Sequence, residues 1–439
     1  MLQPKLFFYL MKWSNYNIIH AIDSSKSAIY NYAWDSAIVL FNELLSIIKN
    51  NLHDIDELSD IHNQLYNDLV KKHIIIDDNI DEAIEIINKI KTELNSQKCL
   101  DITINPTMDC NLKCWYCYES HIKNSVINEQ TFSDLVKFIE KQCTNTDLKV
   151  LNLSFFGGEP LMKAKSVVIP LVQKIDRICK HSNKQLNLRF VSNGVLLSQS
   201  VVNALYDISK DTFFQIAFDG DRDYHNNTKK NLNETGTYDI VLNNINYALS
   251  KHLNFNIRCN YTLDNVLSFK GLIADLKNLP NFNPSLIGIS FQRVWQEADT
   301  QILESYIEDV KQYAIDCGFY SMIAKNIMAD SFCYADKTNS FVFNYNGDVF
   351  KCTARKFDSK KRIGFLTTDG DIQFENGFVN IPQIGIYTEC KGCKILPLCT
   401  ICRQEHEENK INHCPRNISL EDMNNQILQR FKILYKDVL

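Results

Sequence analysis

Between about residue 100 and residue 317, six short apolar or β-branched runs alternate with helical stretches, and no other feature restricts the fold of this chain so strongly. The runs are DITIN, KVLNLSFF, NLRFVSNG, TFFQIAFDG, FNIRCNYT and LIGISFQRV, and SVVIPLVQKIDRICK behind the second reads as a helix. Such alternation makes a parallel sheet covered by helices, so six units predict an α/β fold, a partial (β/α)6 TIM-like barrel. In parallel barrels the reactive groups stand on loops at the C-terminal edge of the strands. With 439 residues, 45% of them hydrophobic, the chain can bury two or three cores. Nine prolines and fourteen glycines leave no flexible linker between them, so the domains are expected to pack together.

The first run leads into MDCNLKCWYCYES, where Cys110, Cys114 and Cys117 are spaced CxxxCxxC. Three thiolates hold three corners of a cubane cluster and leave the fourth iron open to a small molecule, whereas iron–sulfur clusters otherwise take four cysteines. The alternative, a structural zinc site, would want a fourth ligand nearby. The motif resembles the signature of the radical S-adenosylmethionine (radical SAM) superfamily, with Tyr116 as the aromatic before the third cysteine. The resemblance implies that the amino and carboxylate groups of S-adenosylmethionine chelate the open iron and that an electron splits the sulfonium into a 5′-deoxyadenosyl radical. Cys110, Cys114 and Cys117 are then the catalytic and metal-binding residues of the barrel cluster.

Later strand ends extend the resemblance. Gly157, Gly158 and Glu159, with Pro160, match the family's GGEP motif, where backbone without Cβ can approach the cofactor ammonium. Ser192 and Asn193 fall where the family meets the cofactor on the third strand, and Asp219 ends the fourth. The stretch DGDRDYHNNTKK resembles DGxxxxHDxxR, with His225 on the histidine and Lys229 on the arginine. A bidentate grip on the methionine carboxylate then becomes a point-charge contact. Arg258 is similarly placed on the fifth strand, a barrel-rim salt bridge being its other reading.

Fifteen cysteines would suggest disulfides in a secreted chain. The opening LFFYLM is too short for a membrane span, polar residues follow it, and no long apolar stretch occurs elsewhere. A reducing cytoplasm with cysteines serving metal clusters is expected instead. Cys333, Gly347 and Cys352, followed by Cys390, Cys393, Cys399, Cys402 and Cys414, resemble the seven-cysteine SPASM domain, with two rather than three residues between Cys399 and Cys402. A zinc ribbon would need roughly fifteen to twenty residues between its CxxC pairs, and here five separate them. On the family's pairing, Cys390, Cys393, Cys399 and Cys414 hold an outer [4Fe–4S] cluster, and Cys333, Cys352 and Cys402 an inner one, making three with the barrel cluster. The inner cluster is then a ligand short: Cys317 folds back to it, or an iron stays open. Cys99, Cys143, Cys179 and Cys259 are expected to pack among apolar residues.

Residues 1–95 need a separate account. YNIIHAID, SAIYNY and HIIID read as strands; Ile38, Phe41, Leu45 and Ile48 recur at helical spacing; DELSDIHNQLYNDLVKK and DEAIEIINKIKTEL read as helices. That order resembles the winged-helix-like leader-recognition element (RRE) of enzymes that modify ribosomally made peptides, which capture a leader as an added strand; a structural cap on the barrel is the other reading. The region is acid-rich and the chain has a formal charge of −5, against the basic footprint nucleic acid requires. The expected organisation is residues 1–95 for recognition, 96–318 for the barrel and 319–439 for the SPASM domain, ended by an amphipathic helix.

The resemblance thus implies a radical SAM/SPASM peptide maturase that crosslinks a precursor peptide through a thioether, carbon–carbon or ether bond. It would act in the cytoplasm, with a reductant such as flavodoxin or ferredoxin and no nucleic-acid or membrane partner. The nearest alternative is an anaerobic sulfatase maturase, which carries an aspartate after the second hairpin cysteine; here that residue is Thr353. An alternative of another class is a peptide-binding or electron-carrier protein without turnover.

Overall fold

The computed structural model describes residues 10–230, 235–298, 300–319, 333–382, 384–399, 408, 414 and 419–435. They fall into two compact units, one within Met1–Asn95, Ile327–Asp336 and Pro382–Leu439, the other within Ser96–Asn326 and Lys337–Ile381. The stretch 319–439, expected as one domain, is therefore divided, and strand pairing explains why.

In the first unit β1 (Met11–Trp13) pairs with β5 (Ile75–Asp77), while β2 (Asn17–Ala21), β3 (Lys26–Asn31) and β4 (Ser36–Phe41) form an antiparallel sheet. Ile38 and Phe41, expected on a helix with Leu45 and Ile48, lie instead on β4, and α1 (Asn42–Asn50) begins at the next residue. Their spacing fits a helix, but SAIVLF carries β-branched residues that pair well with a neighbouring strand, and no turn residue marks the switch. The expected second helix breaks at His62 into α2 (Leu58–Ile61) and α3 (Asn63–Lys71), where the His62 ring accepts the Leu65 N–H as an N-cap. Asp81 caps α4 (Glu82–Leu94) in the same way.

Strand alternation then divides the core. Ile29 packs with Leu45, Ile48 and Leu69 on one face of the sheet. Ala28 and Tyr30 pack on the other with Ile86 and Ile90 of α4 and with Ile427 and Phe431 of the C-terminal helix Leu420–Leu434.

In the second unit β6 (Cys99–Ile104), β7 (Val150–Phe155), β8 (Gln185–Ser192), β9 (Phe213–Phe218), β10 (Asn254–Tyr261) and β11 (Ile287–Arg293) pair in parallel in chain order. Between or after them run α5 (Glu129–Cys143), α6 (Ile169–His181), α7 (Gln199–Tyr206), α8 (Arg222–Thr228), α9 (Tyr238–Ser250), α10 (Phe269–Lys277) and α11 (Gln301–Asp316). All six expected strands are present. Phe155, Phe190, Phe214 and Phe255 occupy one register across four neighbours, and their rings stack with centroids 5.1, 5.2 and 5.5 Å apart beneath the helices. Each buried phenylalanine contributes roughly 1.5–3 kcal/mol. The opposite face is polar: Asn152 donates to Asp101 at 2.6 Å and Asn187 to Asn152 at 2.8 Å.

The sheet continues past β6. β12 (Ser340–Phe343) pairs with it in parallel, and β13 (Asp348–Phe350), β14 (Gly364–Leu366) and β15 (Ile372–Phe374) follow antiparallel. Gly347, at φ +86°, turns the β12–β13 hairpin. Phe341, Phe343, Val349 and Ile363 join the barrel core, so this hairpin belongs to the barrel unit and not to a separate C-terminal domain. Cys143, Cys179 and Cys259 are buried, but Cys99 is exposed at the start of β6. Among the described residues no helix is long and apolar enough to cross a membrane.

Candidate active site at the open end of the barrel

The cysteine loop leaves the C-terminal end of β6 and is closed at its stem. Thr107 Oγ1 donates to Ser125 O at 2.6 Å, Ser125 Oγ accepts the Met108 N–H at 2.8 Å, and Asp109 Oδ2 accepts the Asn124 N–H at 2.9 Å. The loop after β7 lies directly against this stem. A Cβ on Gly157, whose φ is +102°, would stand 2.4 Å from Thr107 O, and one on Gly158 2.2 Å from Asp109 O. Close approach to the cysteine loop is thus the immediate reason for both glycines; the same residues also line the cavity below.

Glu159 is wholly buried and does not line that cavity. Its Oε1 accepts from Leu161 N and from Ser192 Oγ, both at 2.9 Å, and its Oε2 accepts from Asn193 N at 2.8 Å. Burial lifts its carboxyl to about 7 in spite of these donors. Glu159, expected as a cofactor contact, braces the β7 and β8 loops through these side-chain bonds.

Cys110, Cys114 and Cys117 open together into one cavity of ≈ 1000 Å³, counting the space continuous with solvent, whose walls include Gly157, Gly158 and Asn193. Each sulfur has a donor or ring nitrogen beside it. Cys110 Sγ accepts the Leu112 N–H at 3.4 Å, with Asn193 Nδ2 at 4.0 Å; Lys229 Nζ stands 3.9 Å from Cys114 Sγ; His121 Nε2 stands 3.6 Å from Cys117 Sγ. Burial pushes the Cys110 thiol up to about 12 and raises Cys117, so iron uptake would release protons. Three sulfurs on one short loop, each with polar support and facing an open cavity, fit a cubane with one iron left for a cofactor.

Of the other expected contacts, Ser192, Asn193, Lys229 and Arg258 line the cavity, and Arg258 Nε donates to Asn260 Oδ1 at 3.0 Å. Asp219 does not line it. Its carboxylate takes the Tyr116 hydroxyl at 2.6 Å and the Lys229 ammonium at 2.7 Å.

Among the wall residues that sequence reading missed are Tyr118, Glu119 and Trp295. Tyr118 stacks on Trp295 at 5.0 Å, and the carboxylate oxygens of Glu119 are buried without a hydrogen-bond partner among the described residues. Burial pushes the Glu119 carboxyl up to about 8. The available signal was position, since Tyr118 and Glu119 directly follow the third cysteine.

Elsewhere, Cys390, Cys393 and Cys414 stand half-buried against one apolar cluster that contains Cys399. Burial raises the Cys390 thiol, and neighbouring Cys393 and Cys414 add to the effect. Cys352 ends the β12–β13 hairpin, where its sulfur accepts the Ala354 N–H at 3.2 Å. Cys333 is half-buried, Cys317 follows α11, and Cys402 lies outside the described residues.

Residues 104–292 match the radical SAM superfamily. Over 421 residues the chain is 21% identical to the radical SAM cyclopropyl synthase TigE of Paramaledivibacter caminithermalis, covering 86% of this chain and 82% of that one. It is 28% identical over 191 residues to GTP 3′,8-cyclase of Clostridium perfringens, 42% of this chain and 52% of the relative. A solved structure of anSMEcpe with bound AdoMet and Cp18Cys peptide shares the fold with a TM-score of 0.53 and 18% identity, over 77% of this chain and 97% of that one. With the parallel barrel and the cysteine loop at its open end, residues 104–292 are a domain of the radical SAM superfamily.

Proposed function

We propose that the protein is a radical SAM/SPASM peptide maturase that crosslinks residues of a ribosomally made precursor peptide through a thioether, carbon–carbon or ether bond. The observation that carries this reading is the opening of Cys110, Cys114 and Cys117 with Gly157, Gly158 and Asn193 into one cavity. Cys110, Cys114 and Cys117 would hold the cluster, which with S-adenosylmethionine bound would supply radical chemistry for abstracting hydrogen from an unactivated carbon. The chain's part is to bind, orient and exclude water. Gly157 and Gly158 bring backbone to the cofactor wall, Asn193 adds an amide, and Glu159 keeps both loops in register. Arg258 presents a cation for the cofactor carboxylate. Tyr118 and Trp295 form an aromatic wall against which a peptide side chain can pack.

A peptide substrate is supported by the bound peptide of anSMEcpe. In the first unit β2 and β4 each pair with β3 alone among the described residues, which leaves an outer edge for a leader strand. Cys390, Cys393, Cys399 and Cys414 would hold the outer auxiliary cluster, and Cys333, Cys352 and Cys402 the inner one. These clusters would accept the electron released as the new bond forms. Flavodoxin or ferredoxin in the cytoplasm would supply the reducing electron. Thr353, in place of the aspartate of sulfatase maturases, favours crosslinking over formylglycine formation.

The test is anaerobic turnover with dithionite. Wild type should release 5′-deoxyadenosine, while Cys110→Ala, Cys114→Ala and Cys117→Ala should release none yet keep the auxiliary iron. A precursor encoded beside the gene should lose two hydrogens per crosslink by mass spectrometry. Wild type that is loaded with iron but cleaves no S-adenosylmethionine would return the chain to the electron-carrier class.

A further inference from the structure

Lys229 is set apart from the other cations of the cavity by burial: its side chain is 3% exposed, and that of its ion-pair partner Asp219 is 1% exposed. An ammonium has three N–H donors, and here each has a direction. One goes to Asp219 Oδ2 at 2.7 Å, one to the Tyr116 hydroxyl at 2.6 Å, and the third faces Cys114 Sγ at 3.9 Å. The Tyr116 hydroxyl donates to Asp219 Oδ1 at 2.6 Å and also accepts from Asn260 Nδ2 at 3.1 Å. Asn265 Nδ2 donates to the backbone carbonyl of Asp219 at 3.0 Å. With these partners in place the ammonium has no donor left for a methionine carboxylate, the role its position in the motif suggests.

We propose that Lys229 is a positioning residue for the barrel cluster: it donates to the Cys114 sulfur, raises the reduction potential of the cluster that cysteine holds, and fixes the loop through Tyr116. The proposal rests on the radical SAM reading of the cysteine loop. An electron added to a cluster increases its negative charge, and a hydrogen bond to a ligand sulfur stabilises the electron-rich state. Because Asp219 cancels the net charge of the pair, a directed N–H dipole acts on the sulfur. Because Lys229 and Asp219 are both buried, the dipole is screened less than it would be at the surface. The same network holds the aromatic of the cysteine motif, since Lys229 Nζ also lies 5.2 Å from the centre of the Tyr116 ring.

The test compares reconstituted full-length wild type with Lys229→Met, Lys229→Arg and the double variant Lys229→Met/Asp219→Asn. Removing Lys229 alone strands a buried carboxylate and endangers folding; the double variant keeps the net charge and isolates the hydrogen bond. The potential of the barrel cluster is read by electron paramagnetic resonance during redox titration, and S-adenosylmethionine affinity by equilibrium binding. The expected result is a lower potential in the double variant, a potential near wild type in Lys229→Arg, and an unchanged cofactor affinity. An unchanged potential in the double variant overturns the proposal. If in addition its affinity falls about tenfold or more, Lys229 is a carboxylate ligand. Wild type that takes up no cluster on Cys110, Cys114 and Cys117 would instead remove the radical SAM reading, and this proposal with it.

Discussion

The carboxylate of Glu159 accepts the backbone N–H of Asn193 at 2.8 Å, and this bond ties the loop after β7 to the loop after β8. The pair converts two separate motifs, GGEP and VSNG, into one wall. Replacing Glu159 with Ala would strand the donors of Leu161, Ser192 and Asn193, at about 1–3 kcal/mol for each buried group left unsatisfied. Glu159→Ala should therefore lower the unfolding midpoint and weaken S-adenosylmethionine binding about tenfold or more. Equilibrium binding to the iron-loaded variant checks this, and wild-type affinity would count against a bracing role.

A methyl group at position 158 would meet the Asp109 carbonyl at 2.2 Å, which is backbone that cannot yield without moving the cysteine loop. Gly158→Ala should assemble little or no barrel cluster while the auxiliary clusters still form. The expected iron deficit is about four per chain. Iron analysis with the cluster absorbance of the same sample decides it, and a full complement of iron would show that the stem tolerates a side chain.

Glu119 provides a pH prediction for the iron-free protein. Its carboxyl is raised from 4.5 to about 8 by burial, so the folded state holds a proton that the unfolded chain has released. Its contribution is complete below pH 4.5 and is lost as pH rises through 8. Glu159 is shifted in the same direction and forms a background common to wild type and variant. The urea midpoint of wild type should drop between pH 5 and pH 8, and Glu119→Gln should flatten that drop. Parallel pH profiles would exclude a buried ionisable Glu119.

Loss of Cys393 or Cys399 should separate cofactor cleavage from product. If the outer auxiliary cluster accepts the electron released on bond formation, Cys393→Ala should still yield some 5′-deoxyadenosine but no crosslinked peptide. Peptide mass and nucleoside yield are measured in one reaction. Normal crosslinking by a variant shown to lack that cluster would reject an obligatory acceptor.

Leader capture by strand addition predicts a backbone effect. A proline in the docking stretch of the leader removes one N–H, and should weaken binding to the full-length protein more than alanine at the same position. Anaerobic titration measures both. Equal losses would favour a cap role for residues 1–95.

Local features of this protein were readable before any fold was known. The six parallel strands announce themselves through short β-branched runs, and the cysteine loop through spacing within eight residues. The strand β4 was not readable, because SAIVLF continues into α1 without a turn and its apolar residues satisfy a helical period as well. Nor was the extension of the barrel sheet by β12, which depends on a pairing between Phe341 and Ile102. Glu159 could be placed in its motif, but its role as a brace requires the amide of Asn193 from the next loop. Lys229 shows the same limit most clearly: its motif position suggests a cofactor ligand, while its partner Tyr116 lies 113 residues earlier. Secondary structure follows the period of neighbouring side chains, so the sequence alone determined the barrel and the cysteine loop. A donor's partner is settled only when distant loops meet in a buried site where few polar atoms remain available, and that was decided by the tertiary structure.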